Sequence, residues 1–109
     1  MKEQIMPNSA LTASALLTNA VGLHARPSVK LTQLAKSFAA SLELALDVEG
    51  PWVDAKSPVK IMRVKAPKGA VLHFRARGAD AREAIASLVA LVDRRFDEDE
   101  EHAGERAYG

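Results

Sequence analysis

The sequence predicts an α+β fold, an open-faced β-sandwich in which a four-stranded, mainly antiparallel sheet carries helices on one face. Several segments alternate apolar and polar residues with a period of two, which is typical of strands with one buried face. Between them lie two segments whose apolar residues recur at helical spacing and a shorter one that opens on serine-proline. The predicted order is strand, helix, strand, strand, helix, strand, helix (β-α-β-β-α-β-α).

Composition limits the class of protein. A chain of 109 residues, 48% of them hydrophobic, suits one domain with a single core. Cysteine is absent, which excludes disulfides and thiolate metal sites, and we expect neither a metal nor a cofactor. The net charge of +1 and the 5% aromatic content do not favour nucleic-acid binding. No apolar run has the length of a membrane span and residues 1–8 do not resemble a signal peptide, so we expect a cytoplasmic protein without direct membrane insertion.

The first strand and the first helix flank a tight turn. Residues 1–10 lack periodicity and are interpreted as a flexible lead-in. Apolar positions alternate over 11–18, and Gly22 then suits a turn. Pro27 is tolerated only in the first turn of a helix, so the helix begins beside His24. The apolar stripe of this helix consists of Pro27, Leu31, Leu34, Ala35 and Phe38.

Two strands follow in the middle of the chain. The turn at Gly50-Pro51 leads into a short strand around Trp52 and Val53. The strand before that turn has the clearest alternation in the sequence, with apolar residues at Leu42, Leu44, Leu46 and Val48.

The last three elements are a short helix, a strand and a longer helix. Ser57 is predicted as the N-cap of the short helix and Pro58 as its first residue. Residues 70–76 alternate as a strand, and Asp80 with Glu83 resembles a capping box before the final helix. That helix buries the apolar positions Ala81, Ala84, Ile85, Leu88, Leu91 and Val92.

The chain is thereby divided into the lead-in (1–10), one domain (11–95) and a tail (96–109). The tail contains the acidic run 97–101, whose like charges repel one another, and we expect it to be disordered.

The residues with the clearest chemistry stand where the first helix begins. A helix N-terminus leaves backbone N–H groups without partners and carries partial positive charge, so it attracts phosphate. A neutral imidazole of His24 at this place has a nitrogen lone pair available near neutral pH. Arg26, two residues later, adds a charge-assisted contact to a phosphoryl group. The alternative is that His24 only caps the helix or fills the turn, and the residues alone leave both interpretations open.

The segment Gly22-Leu23-His24-Ala25-Arg26-Pro27 resembles the active-site segment of the HPr family, the histidine-containing phosphocarriers of the bacterial phosphoenolpyruvate-dependent phosphotransferase system. Ala55-Lys56-Ser57 resembles the family's second signature, with a short insertion near Gly50-Pro51 between the two. The resemblance covers about residues 11–95 and implies an HPr-like phosphocarrier domain there.

The resemblance also implies a mechanism. His24 would take a phosphoryl group through Nδ1 from the phosphohistidine of enzyme I, and Arg26 would contact the phosphate. The group would then pass to a histidine or cysteine of a IIA-type or equivalent acceptor, in sugar uptake or regulation, with no independent turnover. The docking surface implied for these partners comprises Lys56, Pro58, Val59, Lys60 and Met62. A solvated face is the alternative interpretation of Lys60, and core packing that of Met62.

Ser57 matches the serine that a dedicated HPr kinase phosphorylates in many members of the family. Phosphate at this position would add negative charge to a surface made for an acidic partner. The alternative is that Ser57 only caps its helix, and Pro58 departs from the large apolar residue that is usual there.

Two other functions compete with the carrier. One is an HPr-like regulatory binding module that controls a partner protein without obligatory phosphoryl transfer, against which the presence of His24 argues. The other is a small-molecule-sensing domain, for which the sequence offers no glycine-rich loop or paired carboxylates. Hydrolysis is disfavoured because no base and orienting acid accompany His24 in the sequence. The branch of the phosphotransferase system, the oligomeric state and membership of a larger fusion stay open.

Overall fold

The computed structural model describes residues 10–98 and has the predicted open-faced α+β architecture. Four strands form one sheet in the order β1-β4-β2-β3, and all neighbouring pairs are antiparallel. Helices pack on one face, where the sheet and helix side chains form a single apolar core. The elements are β1 (Leu11–Leu16), α1 (Ala25–Lys36), β2 (Ser41–Ala45), β3 (Val53–Asp54), α2 (Pro58–Val64), β4 (Val71–Arg77), α3 (Ala81–Asp93) and a 3₁₀ turn (Arg95–Asp97).

The central strand β4 and the helix α3 form as their sequence patterns predict. Leu72, Phe74 and Ala76 are buried, and the residues between them point to the outer face of the sheet. Leu72 pairs with Ala15 of β1 and Phe74 with Leu44 of β2. All six apolar positions predicted for the last helix are buried in α3. These elements are correctly predicted because a single buried face fixes their periodicity.

The strand β2 ends earlier than its alternation predicts. It stops at Ala45, and Leu46 and Val48 are exposed. A turn replaces the strand here, because the Asp47 carboxylate accepts the N–H of Glu49 and the Asp47 carbonyl accepts the N–H of Gly50. The prediction that Leu46 and Val48 extend the strand is therefore wrong.

The capping box predicted at the start of α3 is also absent. Asp80 is the N-cap residue, but its side chain makes no capping hydrogen bond. Its carboxylate oxygens instead accept the backbone N–H groups of Ala39 (2.9 Å) and Ala40 (2.8 Å). These bonds, led by that of Ala39, lower the pKa of Asp80. Asp80 thus connects the segment before α3 to the segment between α1 and β2.

The packed structure continues beyond the predicted boundary at residue 95. Phe96 is fully buried in the core, and Glu98 contacts Asn19 and His24, which lie between β1 and α1. The sequence did not predict this packing, because the acidic run dominates the local composition. The single aromatic ring of Phe96 is nevertheless buried and fixes the segment. Residues 96–98 of the predicted tail are thus part of the packed domain. The remainder of the tail (99–109) and the lead-in up to residue 9 lie outside the described residues. Within 10–98, no helix is long and apolar enough to cross a membrane.

Candidate functional site

His24 is the N-cap residue of α1, and several bonds fix its backbone. Its N–H donates to the carbonyl of Gly22. Its own carbonyl accepts both the backbone N–H (3.1 Å) and the hydroxyl (2.6 Å) of Ser28, which is fully buried. Ser28 belongs to no sequence motif, and only its position four residues after His24 points to this role. The imidazole is therefore carried on a rigid helix start.

The turn before His24 requires glycine. Gly22 has a φ of +81°, and a Cβ atom on it would lie 2.5 Å from the carbonyl oxygen of Ala66. The next residue, Leu23, donates its N–H to the same oxygen at 2.9 Å. The turn thus packs closely against the chain that leaves α2, which brings His24 beside the end of that helix.

The first turn of α1 presents two backbone N–H groups at the helix start. The first positions of the helix are Ala25 and Arg26, whose N–H groups belong to the end of the helix that carries partial positive charge. The third position is Pro27, which has no N–H and is buried. Arg26 is exposed beside these groups. An anion at the helix start would meet two N–H donors and a guanidinium.

An open depression of about 440 Å³ surrounds this helix start. Met62, from the last turn of α2, lines this depression together with His24, and its role in docking stays a prediction. The structure adds Lys65, which caps the end of α2 in the left-handed conformation. The full lining is Val21, Leu23, His24, Ala25, Met62, Lys65, Ala66 and Pro67.

The other predicted docking residues lie farther from His24 along α2. Lys56 donates from Nζ to the carbonyl of Phe38 at 2.8 Å, and Lys60 lines a separate depression with Arg63. Val59 is 51% exposed and lies three residues before Met62, on the same side of the helix. Pro58 is half-buried at the first position of α2. The structure therefore groups His24 with Met62 and does not place Lys56 or Lys60 at the same depression.

Ser57 is the N-cap of α2, as predicted. Its hydroxyl oxygen accepts the N–H of Lys60 at 3.3 Å, and Pro58 follows at the first helical position. The residue is half-buried. A capping role for Ser57 is thus part of the fold.

A carboxylate that no sequence pattern predicts at this site contacts His24. Oε2 of Glu98 lies 3.1 Å from Nε2 of His24, and Oε1 of Glu98 lies 3.2 Å from Nδ2 of Asn19. The His24 side chain is 37% exposed and that of Glu98 is 19% exposed. Glu98 stands 74 residues away in the chain, within an acidic run, so no local motif connects it to the site. Within residues 10–98, no cluster of three potential metal ligands occurs here or elsewhere.

The open-faced α+β sandwich with a histidine at the start of its first helix agrees with the arrangement that the resemblance to histidine phosphocarriers implies. A family model described as "PTS HPr component phosphorylation site" matches residues 11–94. The chain therefore belongs to the HPr family of phosphotransferase-system phosphocarriers.

Individual relatives agree with this assignment. The chain is 40% identical to a phosphocarrier protein HPr of Cupriavidus necator, over 77% of this chain and 92% of the relative. It is 37% identical to the phosphocarrier protein NPr of Escherichia coli, over 76% of this chain and 91% of the relative. The crystal structure of HPr-C-His from Thermoanaerobacter tengcongensis is similar with a TM-score of 0.74 and 33% identity, covering 81% of this chain and 97% of the other.

Proposed function

We propose that His24 accepts a phosphoryl group from phospho-enzyme I and passes it to a IIA-type or equivalent acceptor in the cytoplasm. The observation that carries the proposal is the position of His24 at the N-cap of α1, directly before the N–H groups of Ala25 and Arg26. A phosphoryl group on the imidazole would project toward these donors and toward the Arg26 guanidinium.

The transfer exchanges one P–N bond for another. The lone pair of the His24 ring attacks phosphorus while the P–N bond of the donor phosphohistidine breaks, and its electron pair stays on the donor nitrogen. The helix start and Arg26 stabilise the charge on the phosphoryl oxygens. An exposed helix-dipole contact contributes only about 0.3–1 kcal/mol, so the phosphate is not trapped and can move to the next acceptor.

The surface beside His24 suits a protein partner. Val21 is 70% exposed at the rim of the depression and Val59 is 51% exposed on α2, with Met62 half-buried beside His24. Lys65 adds a positive charge at the same rim. An apolar patch with a basic edge favours an acidic partner that places its own histidine over His24.

A regulatory binding module would use the same surface. The exposed Val21 beside His24 and the exposed Val59 on α2 support partner binding whether or not phosphate is carried. The two functions differ in one respect, since only the carrier needs the imidazole.

The test follows the mass of the intact chain. The protein is incubated with phosphoenolpyruvate, magnesium and a cognate enzyme I, beside a His24→Ala variant. We expect one added phosphate on the wild type, its loss in acid, and none on the variant. Partner binding that persists in His24→Ala, with no phosphate on the wild type, would support the regulatory module instead. Offering sugar-branch and regulatory IIA acceptors to the loaded protein then tests the branch.

A further inference from the structure

We propose that Glu98 is a positioning residue for His24. Its carboxylate accepts the Nε2–H of the imidazole and so selects the tautomer whose lone pair is on Nδ1. The inference rests on the proposed function, because it assigns the reacting nitrogen of the same histidine. The contact that supports it joins His24 to a carboxylate that lies 74 residues later in the chain.

The contact fixes the proton for a simple reason. An ionised carboxylate can only accept hydrogen bonds, and its Oε2 lies 3.1 Å from Nε2 of His24. Nε2 must therefore carry the hydrogen, and in a neutral ring the lone pair is then on Nδ1. A carboxylate that orients a histidine in this way also stabilises positive charge that develops on the ring.

A second residue fixes the carboxylate. Asn19 is buried, and its Nδ2 donates both to Oε1 of Glu98 (3.2 Å) and to the carbonyl of Gly22 (2.6 Å). Both acceptors lack a hydrogen, so the amide must present its nitrogen to them. Within residues 10–98, Oδ1 of Asn19 has no hydrogen-bond partner, and the donor side alone orients the amide. Asn19 thus links the glycine turn before His24 to the carboxylate on its ring.

The segment that carries Glu98 is anchored in the core. Phe96, two residues earlier, is fully buried, and its carbonyl accepts the Nζ of Lys30 on α1 at 2.7 Å. Arg94 and Asp97 form an ion pair within the same segment at 3.1 Å. Glu98 therefore reaches the ring from an ordered turn.

The carboxylate has a role in both half-reactions. When Nδ1 attacks phosphorus and the donor P–N bond breaks, the hydrogen stays on Nε2 and the ring of His24 gains the positive charge that the donor ring loses. Glu98 faces this charge at Nε2, while the phosphoryl group occupies the opposite side of the ring. In the second half-reaction the acceptor attacks phosphorus, and the P–N bond breaks with its electron pair returning to Nδ1. The hydrogen that Glu98 holds on Nε2 lets the ring leave as a neutral imidazole.

The first test reads the tautomer directly and needs no phosphoryl transfer. Nitrogen-15 NMR of the histidine rings at about pH 8, above the ordinary titration range of imidazole, reports which nitrogen carries the hydrogen. The His24→Ala variant assigns the signals. We expect His24 to be predominantly Nε2–H in the wild type and a mixture of tautomers in Glu98→Ala. Glu98→Gln retains an acceptor oxygen and should keep the wild-type tautomer.

The second test measures phosphoryl transfer from enzyme I in the same variants. We expect Glu98→Ala to slow transfer about tenfold and Glu98→Gln to lie between it and the wild type, since it keeps the tautomer but loses the charge. Glu49→Gln, an exposed residue with the same change in net charge, should transfer at the wild-type rate.

Two results would overturn the inference. One is an unchanged tautomer and rate in Glu98→Ala, and the other is faster transfer in that variant, which would make the carboxylate an obstruction. If the wild type takes up no phosphate, the proposed function fails while the NMR result still decides the role of Glu98.

Discussion

Lys30 donates a hydrogen bond from its Nζ to the carbonyl oxygen of Phe96, over 2.7 Å, and thereby joins α1 to the turn that follows α3. The ring of Phe96 is completely buried in the apolar core. The helix that begins at His24 and the segment that ends at Glu98 are thus parts of one packed unit.

Removing the Phe96 ring should destabilise the whole domain. Truncation of a fully buried phenylalanine leaves a cavity and typically costs about 3–5 kcal/mol, so Phe96→Ala should lower the free energy of unfolding by that amount in urea denaturation. Val48→Ala, at a residue that is 65% exposed, should change it by less than about 0.5 kcal/mol. Equal stability of the two variants would show that the segment after α3 is not part of the core.

Alanine at Gly22 should be far more harmful than alanine at Gly69. Both glycines have positive φ angles, +81° and +94°, so each substitution has a backbone cost of about 1–3 kcal/mol. Only at Gly22 would the new Cβ also meet a backbone oxygen, that of Ala66 at 2.5 Å, whereas nothing lies within 4 Å at Gly69. Thermal unfolding of the two variants measures the difference. A Gly22→Ala variant as stable as Gly69→Ala would contradict the close approach of this turn to the chain after α2.

Asp80 should make stability depend on pH in the acid range. The N–H of Ala39 is the main cause of its lowered pKa, so the folded protein binds this proton more weakly than the unfolded chain. Its contribution to stability is then present above the unfolded pKa of about 3.9 and is lost as the pH falls through the lower folded pKa. We expect wild type to exceed Asp80→Asn in stability by a constant amount near neutral pH, and this difference to shrink below about pH 4. Urea denaturation across pH checks it, with Glu83→Gln as the control, and a difference independent of pH would refute the role of the charge.

Ser57 allows the capping role to be separated from a regulatory one. Ser57→Ala removes the oxygen that accepts the Lys60 N–H and should cost about 0.5–2 kcal/mol without affecting phosphoryl transfer. Ser57→Asp keeps a capping oxygen but adds negative charge near the docking surface, so it should remain stable and receive phosphate more slowly from enzyme I. Unfolding curves and transfer rates for the two variants provide the comparison. An unimpaired transfer rate in Ser57→Asp would argue against regulation at this serine.

Local patterns predicted the elements that have one buried face. The alternation around Leu72 and Phe74 and the helical stripe through Leu88 each reflect a single apolar surface, which a short window of sequence contains. The pattern failed at Leu46, because one side-chain and one backbone hydrogen bond of the following Asp47 form a turn in place of the strand. It failed again at Asp80, whose carboxylate binds a loop 40 residues away in preference to its own helix.

The sequence predicted only those residues of the candidate site that are close to His24 in the chain. The six-residue segment around His24 contains the turn glycine, the imidazole and the arginine, so its chemistry is visible in the sequence. Glu98 reaches the ring because Phe96 packs its segment into the core, and Asn19 contacts Glu98 rather than the ring. No local pattern in the sequence predicts these long-range contacts. The composition of this segment predicted a solvated tail, because acidic residues surround Glu98. In the structure Glu98 instead contacts His24.

The most direct measurement locates the phosphate on the ring. The chain is labelled with nitrogen-15 in its histidines, phosphorylated with phosphoenolpyruvate and enzyme I, and examined by NMR for the nitrogen bonded to phosphorus. We predict a single phosphohistidine, at Nδ1 of His24, with hydrogen retained on the Nε2 that faces Glu98. Phosphate on Nε2, on another residue, or on none would contradict the account.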